Sequence, residues 1–400
     1  MSKNFRGTVR EAKPLLYGSI CHFFRINNKL KYGIKSNIKE VGPIKGPAVL
    51  LSTHPSFTDF LYSAPLVYPT KINFVLGYSF YNIKKITKLV YNLGAFPKLQ
   101  FQNDVGSMKN MKKVIDNNGV LGLYPVGLVS ENGESGDIPL ATAMVLKWLL
   151  SDVYIAFTVG SYMIHPKWAK NKRKGNIEMH FKKLLTKEQV RDMDLDSIQK
   201  LVEENLYFNE YKNNEGKKFK GKGLAEGLEN LAYKCPKCGN EYHTSTEGNI
   251  LKCSCGNEVS IDEYGHLHKV KEDDICFDTP LEWYNYEREY IREELKKGTF
   301  ILEDDVELHM PLDQFSPYVH VGSGHIVMTK GNINYVGTIN NEDVDLNIST
   351  NGLMACAFSY GKRFEIQHNN TVYVFYPKNK QSVLKYSMAI RESYKIDVLD

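Results

Sequence analysis

The chain has 400 residues, 51 Lys and Arg against 46 Asp and Glu for a formal charge of +5, and is 42% hydrophobic and 12% aromatic. That is apolar enough for packed cores and long enough for two or three domains, which excludes a disordered chain. The charge is too mild for a strongly basic nucleic-acid binder, yet it allows a local anion site or contact with an acidic membrane surface.

No apolar run reaches the roughly 18 residues of a membrane-crossing helix. The opening MSKNFRGTVREAKP has no apolar stretch ahead of small residues, so no signal peptide is expected. Seven cysteines, four of them clustered, suit a reducing compartment and a metal better than a disulfide framework. The expectation is a cytoplasmic, multi-domain protein.

In chain order, PLLYGSICHFF followed by RINNKLKYGIK is a short aromatic amphipathic stretch with basic residues after it. It reads as a helix packed on a core in preference to one resting on a membrane. GPAVLLSTH, KINFVLGYSF, VLGLYPVG and VYIAFTVG read as strands. Helical patterns lie between them at Phe57–Leu66, Ile83–Leu93, Val105–Asn117 and Leu140–Leu149. Alternation of this kind predicts an α/β sheet covered on both faces, with active groups at the strand ends.

At one such end stands THPSFTD. Five residues of continuous helix would turn His54 and Asp59 roughly 140° apart. With Pro55 at the first helical position, His54 stays in the loop and Asp59, in the second turn, leans back toward it. Two readings are open: a base with its orienting carboxylate, or a helix cap with an acid favoured by the dipole.

Residues 183–230 read as helical and charged, ending in a Gly/Lys-rich linker. A cysteine cluster follows, then EWYNYEREYIREELKKG as one helical connector. From Leu308 onward come short alternating strands, closed by the helical QSVLKYSMAIRESYK. Short antiparallel strands with one final helix suggest a PH/GRAM-like β domain. The expected domains are 1–230, 231–270, 271–307 and 308–400.

THPSFTD, LGAFPK, GVLGLYPVG and VYIAFTVGSY, in that order, resemble the glycerolipid acyltransferase superfamily of the lysophosphatidate acyltransferase type over roughly residues 45–185. More loosely, the whole chain is similar to a bacterial subgroup that appends a zinc-ribbon-like unit and a C-terminal β domain. The resemblance implies an acyltransferase-type mixed sheet flanked by helices. His54 would be the base that deprotonates an acceptor hydroxyl, and Asp59 would orient it. Gly94 and Phe96 match the frame of the second block, and Pro125 and Gly127 that of the third. The implied activity is transfer of a fatty acyl group from acyl-CoA or acyl carrier protein to a lysophospholipid such as 1-acyl-glycerol-3-phosphate. The implied place is the inner face of the membrane, held peripherally, with no cofactor in the acyltransferase site.

The chain departs from that pattern where the family has Glu and Arg: Val126 and Leu128 stand in the third block, and Lys98 and Gln100 replace the second block's arginine. Guanidinium–phosphate pairing is bidentate and charge-assisted, so these are not neutral swaps. Lys98 is one compensating cation. HPKWAKNKRK, residues 165–174, offers others, Lys167 among them, as either an electropositive patch or a solvated loop. Hence a second reading, a catalytically impaired homologue that binds lipid or regulates, stands beside the enzyme.

Cys235, Cys238, Cys253 and Cys255 form two pairs, each followed by glycine, with fourteen residues between the pairs. Four such thiols suit a structural Zn²⁺ on two knuckles; clustered reduced thiols are the plain alternative. The second pair is one residue tighter than usual, so His243, His266 and His268 are candidate substitutes for one thiolate. A third reading makes this ribbon and the β domain an adaptor. Nucleic acid is not expected as its partner, since nearby carboxylates offset the basic residues.

Overall fold

The computed structural model describes residues 8–77, 84–98, 104–312, 316–369 and 371–398. It divides into two compact units: Met1–His165 with Lys174–Phe219, and Pro166–Arg173 with Lys220–Asp400. The second unit therefore takes an eight-residue excursion of the chain as well as everything after Phe219.

The first unit runs α1 (Pro14–Tyr32), β1 (Lys35–Ser36), α2 (Ile38–Val41), β2 (Ala48–Ser52), α3 (Phe60–Val67), β3 (Ile72–Gly77), α4 (Lys84–Asn92) and β4 (Phe96–Lys98). It continues with α5 (Val105–Asp116), β5 (Val120–Leu123), α6 (Ala141–Leu149), β6 (Asp152–Val159), α7 (Ser161–Ile164), β7 (Glu178–Leu185), α8 (Lys187–Asp192), α9 (Leu195–Leu206) and α10 (Glu210–Asn213). The strands form one sheet in the order β1-β7-β6-β2-β5-β3-β4, parallel throughout except for β6 against β7. Central β2, AVLLS, is buried at every position, as expected of a parallel strand with helices on both faces. Val49, Leu51 and Leu121 pack with Ile115, Leu146 and Ile198 of the covering helices.

Two sequence expectations change here. The helix read from Phe57 begins at Phe60, because residues 55–59 are spent on a turn that brings Asp59 back to Ser56. The stretch read as helical from residue 183 starts as the end of β7, whose Met179 and Phe181 point inward while His180 and Lys182 point out. That period of two is a strand's. Helix α1 packs Tyr17 and Cys21 against Tyr68 and Leu93, and leaves Leu15, Phe23, Ile26 and Leu30 exposed on its other face. Polar groups fasten it as well: Asn28 Nδ2 donates to Leu61 O at 2.8 Å and Arg25 to Pro65 O at 2.6 Å. Ile83, Gln100 and the end of the KINFVLGYSF stretch lie outside the described residues.

The second unit holds two antiparallel sheets. β8 (Thr244–Glu247), β9 (Ile250–Cys253), β10 (Glu258–Ile261) and β11 (Leu267–Lys269) pair in the order β11-β10-β9-β8. Helix α11 (Pro280–Lys297) follows, with Thr279 as N-cap, Pro280 in its first turn and Gly298 closing it at φ +69°. Then come β12 (Leu302–Pro311), β13 (Tyr318–Thr329), β14 (Asn332–Ile339), β15 (Glu342–Ser349), β16 (Ala357–Ser359), β17 (Arg363–His368), β18 (Thr371–Pro377) and α12 (Val383–Val398). Their sheet order is β15-β14-β13-β12-β18-β17-β16. β12 thus starts inside the stretch read as connector. Leu384, Tyr386 and Met388 of α12 are fully buried with Phe364 and Phe375 of the sheet and Trp283 of α11.

Candidate active site

Three adjacent parallel strands, β5, β2 and β6, stop at Leu123, Ser52 and Val159 on the same edge of the sheet. The residues just beyond them are Tyr124, His54 and Ser161, which the parallel register therefore gathers although 107 positions separate the outer members of His54 and Ser161 in sequence. The β2–β6 ladder runs on past β2: Thr53 N donates to Ala156 O at 3.1 Å, and Thr158 N donates to Thr53 Oγ1 at 2.9 Å. Ser130 N donates to His54 O at 2.9 Å. The backbone on both sides of the imidazole is thus pinned.

Asp59 accepts three hydrogen bonds. Ser56 N donates to Oδ2 at 2.8 Å, His54 Nδ1 stands 3.1 Å from the same oxygen, and Ser161 Oγ donates to Oδ1 at 3.0 Å. Its side chain is 1% exposed, against 16% for His54. Burial pushes the carboxyl above its usual range, while His54, Ser56 and Ser161 pull it back toward the ionised form. With a carboxylate on Nδ1, the imidazole carries its proton there and Nε2 is left to take up another. Asp59 stands at the N-cap position of α3 but makes no side-chain cap bond to that helix.

Tyr124 stacks on His54 with ring centroids 4.2 Å apart, and Phe74 stacks on Tyr124 at 6.0 Å. Burial and the nearby Asp59 raise the Tyr124 hydroxyl well above its ordinary range, so it stays neutral. Phe60 meets Phe74 edge-on at 6.3 Å. Phe60 and Phe74 in turn line an apolar cavity with Tyr17, Phe24, Ala64 and Leu93, between α1, α3 and β3. At about 60 Å³ it holds only a few water-sized groups. A long chain would have to displace a wall or extend beyond it.

The other residues singled out in the sequence fall in different places. Gly127 sits at φ +75° in the turn after β5 and donates to Tyr124 O at 3.0 Å; with Pro125 it shapes the turn that presents Tyr124. Val126 packs toward Gly136, whose absent Cβ would stand 2.7 Å from Val126 Cγ1. Gly94, at φ +83°, lets Asn73 Nδ2 approach and donate to its carbonyl at 2.7 Å, and Phe96 is fully buried. Both place β4, at whose end stands Lys98. Burial lowers the Lys98 ammonium, with Asp104 opposing. Lys167 belongs to the second unit, where its Nζ lies 3.7 Å from the Phe358 ring centroid. In the same unit Trp168 joins the core and Lys170 bonds Glu229 at 3.0 Å, so much of the basic run is structural there.

Sequence reading missed Tyr124 and Ser161. The usable signal was position: both follow directly on an apolar strand.

In the second unit, the sulfurs of Cys235, Cys238, Cys253 and Cys255 all lie within 4.8 Å of one another. Cys235–Cys255 is 3.7 Å and Cys238–Cys253 is 3.8 Å. Zn–S bonds of about 2.3 Å in a tetrahedron place sulfurs about 3.8 Å apart, so the group fits that ion. Gly239 and Gly256, at φ +73° and +89°, close the two knuckles by donating to Cys235 O and Cys253 O. Among the described residues no histidine joins the group. His268 instead faces Asp262 at 2.8 Å.

No helix among the described residues is long and apolar enough to cross a membrane. Residues 29–159 match the family model described as Acyltransferase. No curated protein matches the chain. Among solved structures, it is similar to the crystal structure of the 1-acyl-sn-glycerophosphate (LPA) acyltransferase PlsC from Thermotoga maritima. The identity is 14% and the TM-score 0.41, over 47% of this chain and 75% of that one.

Proposed function

We propose, from the premise that residues 29–159 match the Acyltransferase family model, that the chain is a glycerolipid-type acyltransferase that moves a fatty acyl group from an acyl thioester to a lysophospholipid hydroxyl. The observation that carries the reading is the Asp59 carboxylate, buried and 3.1 Å from His54 Nδ1. His54 Nε2 takes the proton from the acceptor hydroxyl as its oxygen attacks the thioester carbonyl. The C–S bond then breaks, and the leaving thiolate recovers the proton from the imidazolium. Asp59 stabilises that imidazolium and fixes the ring, and no enzyme nucleophile is needed. The apolar cavity joined to His54 through Tyr124, Phe74 and Phe60 suits the near end of an acyl chain.

The donor in this reading is acyl-CoA or acyl carrier protein, and the acceptor resembles 1-acyl-glycerol-3-phosphate, with Lys98 facing its phosphate. The exposed Leu15, Phe23, Ile26 and Leu30, beside Lys29 and Lys31 on α1, suit a peripheral seat on an anionic membrane. The four thiols suit a structural Zn²⁺, and the seven strands with one closing helix suit a PH/GRAM-like domain.

The test is transfer from a labelled acyl thioester to lysophosphatidate in detergent micelles, wild type beside His54→Ala. Turnover that vanishes with His54 supports the reading; equal turnover in both proteins overturns it. Val126 and Leu128 favour one rival, a lipid-binding homologue without turnover. A marked gain in Val126→Glu/Leu128→Arg from an inactive wild type would establish that rival.

A further inference from the structure

Behind Asp59 lies a second buried carboxyl that the mechanism does not use. Glu210 opens α10 and is wholly buried. Its oxygens accept from Gly160 N at 2.9 and 3.2 Å and from Asn214 Nδ2 at 3.3 Å. The backbone N–H groups of Tyr162 and Met163 also point to it. These are the donors that the short α7 leaves without partners at its start, and Ser161, between them, is the residue that donates to Asp59 Oδ1.

The turn before Ser161 has no alternative shape. Gly160 sits at φ +90°, and a Cβ there would stand 2.4 Å from Asn176 O. From its own backbone, Glu210 N donates to Gly133 O at 2.7 Å. Gly133, at φ +93°, is wedged between the rings of Tyr162 and Tyr211 in the loop that follows Tyr124, the same loop whose Ser130 N holds His54 O. Glu210 therefore touches both segments that reach the His54–Asp59 pair, through Gly160 N and Gly133 O.

We propose that Glu210 is the positioning residue of the His54–Asp59 pair: its carboxyl fixes the Gly160–Met163 backbone, so that Ser161 Oγ is aimed at Asp59 Oδ1 and leaves Oδ2 to His54. The inference rests on that pair being the working site. Without Glu210 the α7 turn relaxes, Ser161 lets go of Oδ1, and the carboxylate rotates away from the imidazole. Glutamine keeps one accepting oxygen at the same reach and so preserves the turn; alanine does not, and aspartate is too short.

The test follows His54 itself. In ¹⁵N-histidine-labelled protein, assigned by comparison with His54→Gln, wild type and Glu210→Gln show the Nδ1-protonated tautomer. Glu210→Ala shows a tautomer mixture. In the transfer assay, Glu210→Ala loses on the order of 10²-fold in kcat, the scale of a misplacement near 1 Å, while KM for the lysolipid holds and Glu210→Gln restores the rate. Folded Glu210→Ala with wild-type imidazole signals overturns the proposal, whatever its rate. Should alanine prevent folding, Glu210→Asp takes its place with the same two outcomes. If wild type transfers nothing, the acyltransferase reading fails, while the tautomer signals still decide the role of Glu210.

Discussion

At the scale of single residues, the site is a buried acid made useful by its donors. On the proposed role of His54 as general base, His54→Ala is expected to lose about 10²–10⁴-fold in kcat. Asp59→Asn keeps the shape and leaves the imidazole free to choose the wrong tautomer; kcat should fall by a similar factor with little change in KM, measured under the same micellar conditions. Glu210 offers a separate check by stability. Burial pushes its carboxyl from 4.5 up to about 8, so the folded protein holds a proton across that window that the unfolded chain has released. Its contribution to stability is complete at low pH and is lost as pH rises to about 8. Denaturant titrations from pH 5 to 8 should fall more steeply in wild type than in Glu210→Gln. His54 and Asp59 were legible in the sequence from their spacing; Glu210 and Ser161 were not, because neither lies near them along the chain.

At the scale of elements, patterning served well where a period was long enough to read. Buried β2 follows from its unbroken apolar run, AVLLS. The start of α3 did not follow, because Pro55 is equally at home at a helix start and in the turn that Asp59 closes onto Ser56 N. Nor did the end of β7, since Lys183 to Leu185 continue the strand into the charged stretch read as helical from residue 183. Helix α1 is the element with the most to test. Phe23→Asp with Ile26→Asp changes two side chains that are each 62% exposed, so the melting temperature should stay put. Sedimentation with anionic vesicles should fall severalfold, since burial of each such side chain contributes about 1.5–3 kcal/mol. Unchanged vesicle binding would assign α1 another role.

At the scale of the molecule, two compact units predict two melting transitions. If the four thiols hold Zn²⁺, one zinc per chain should appear in native mass spectra. Chelation, or Cys253→Ser, should then lower the second unit's transition and leave the first near its place, since binding energy at such a site is folding energy. A single transition that ignores chelators would count against the metal. By itself the sequence determined the alternation of strands and helices, the thiol cluster and the His54–Asp59 spacing, because each is written in neighbouring residues. The tertiary structure alone decided that Ser161 and Tyr124 contact that pair, that Glu210 bonds the turn before Ser161, and that Lys167 belongs to the second unit. Parallel strands become neighbours only through long crossovers, and no local period records which ends will meet.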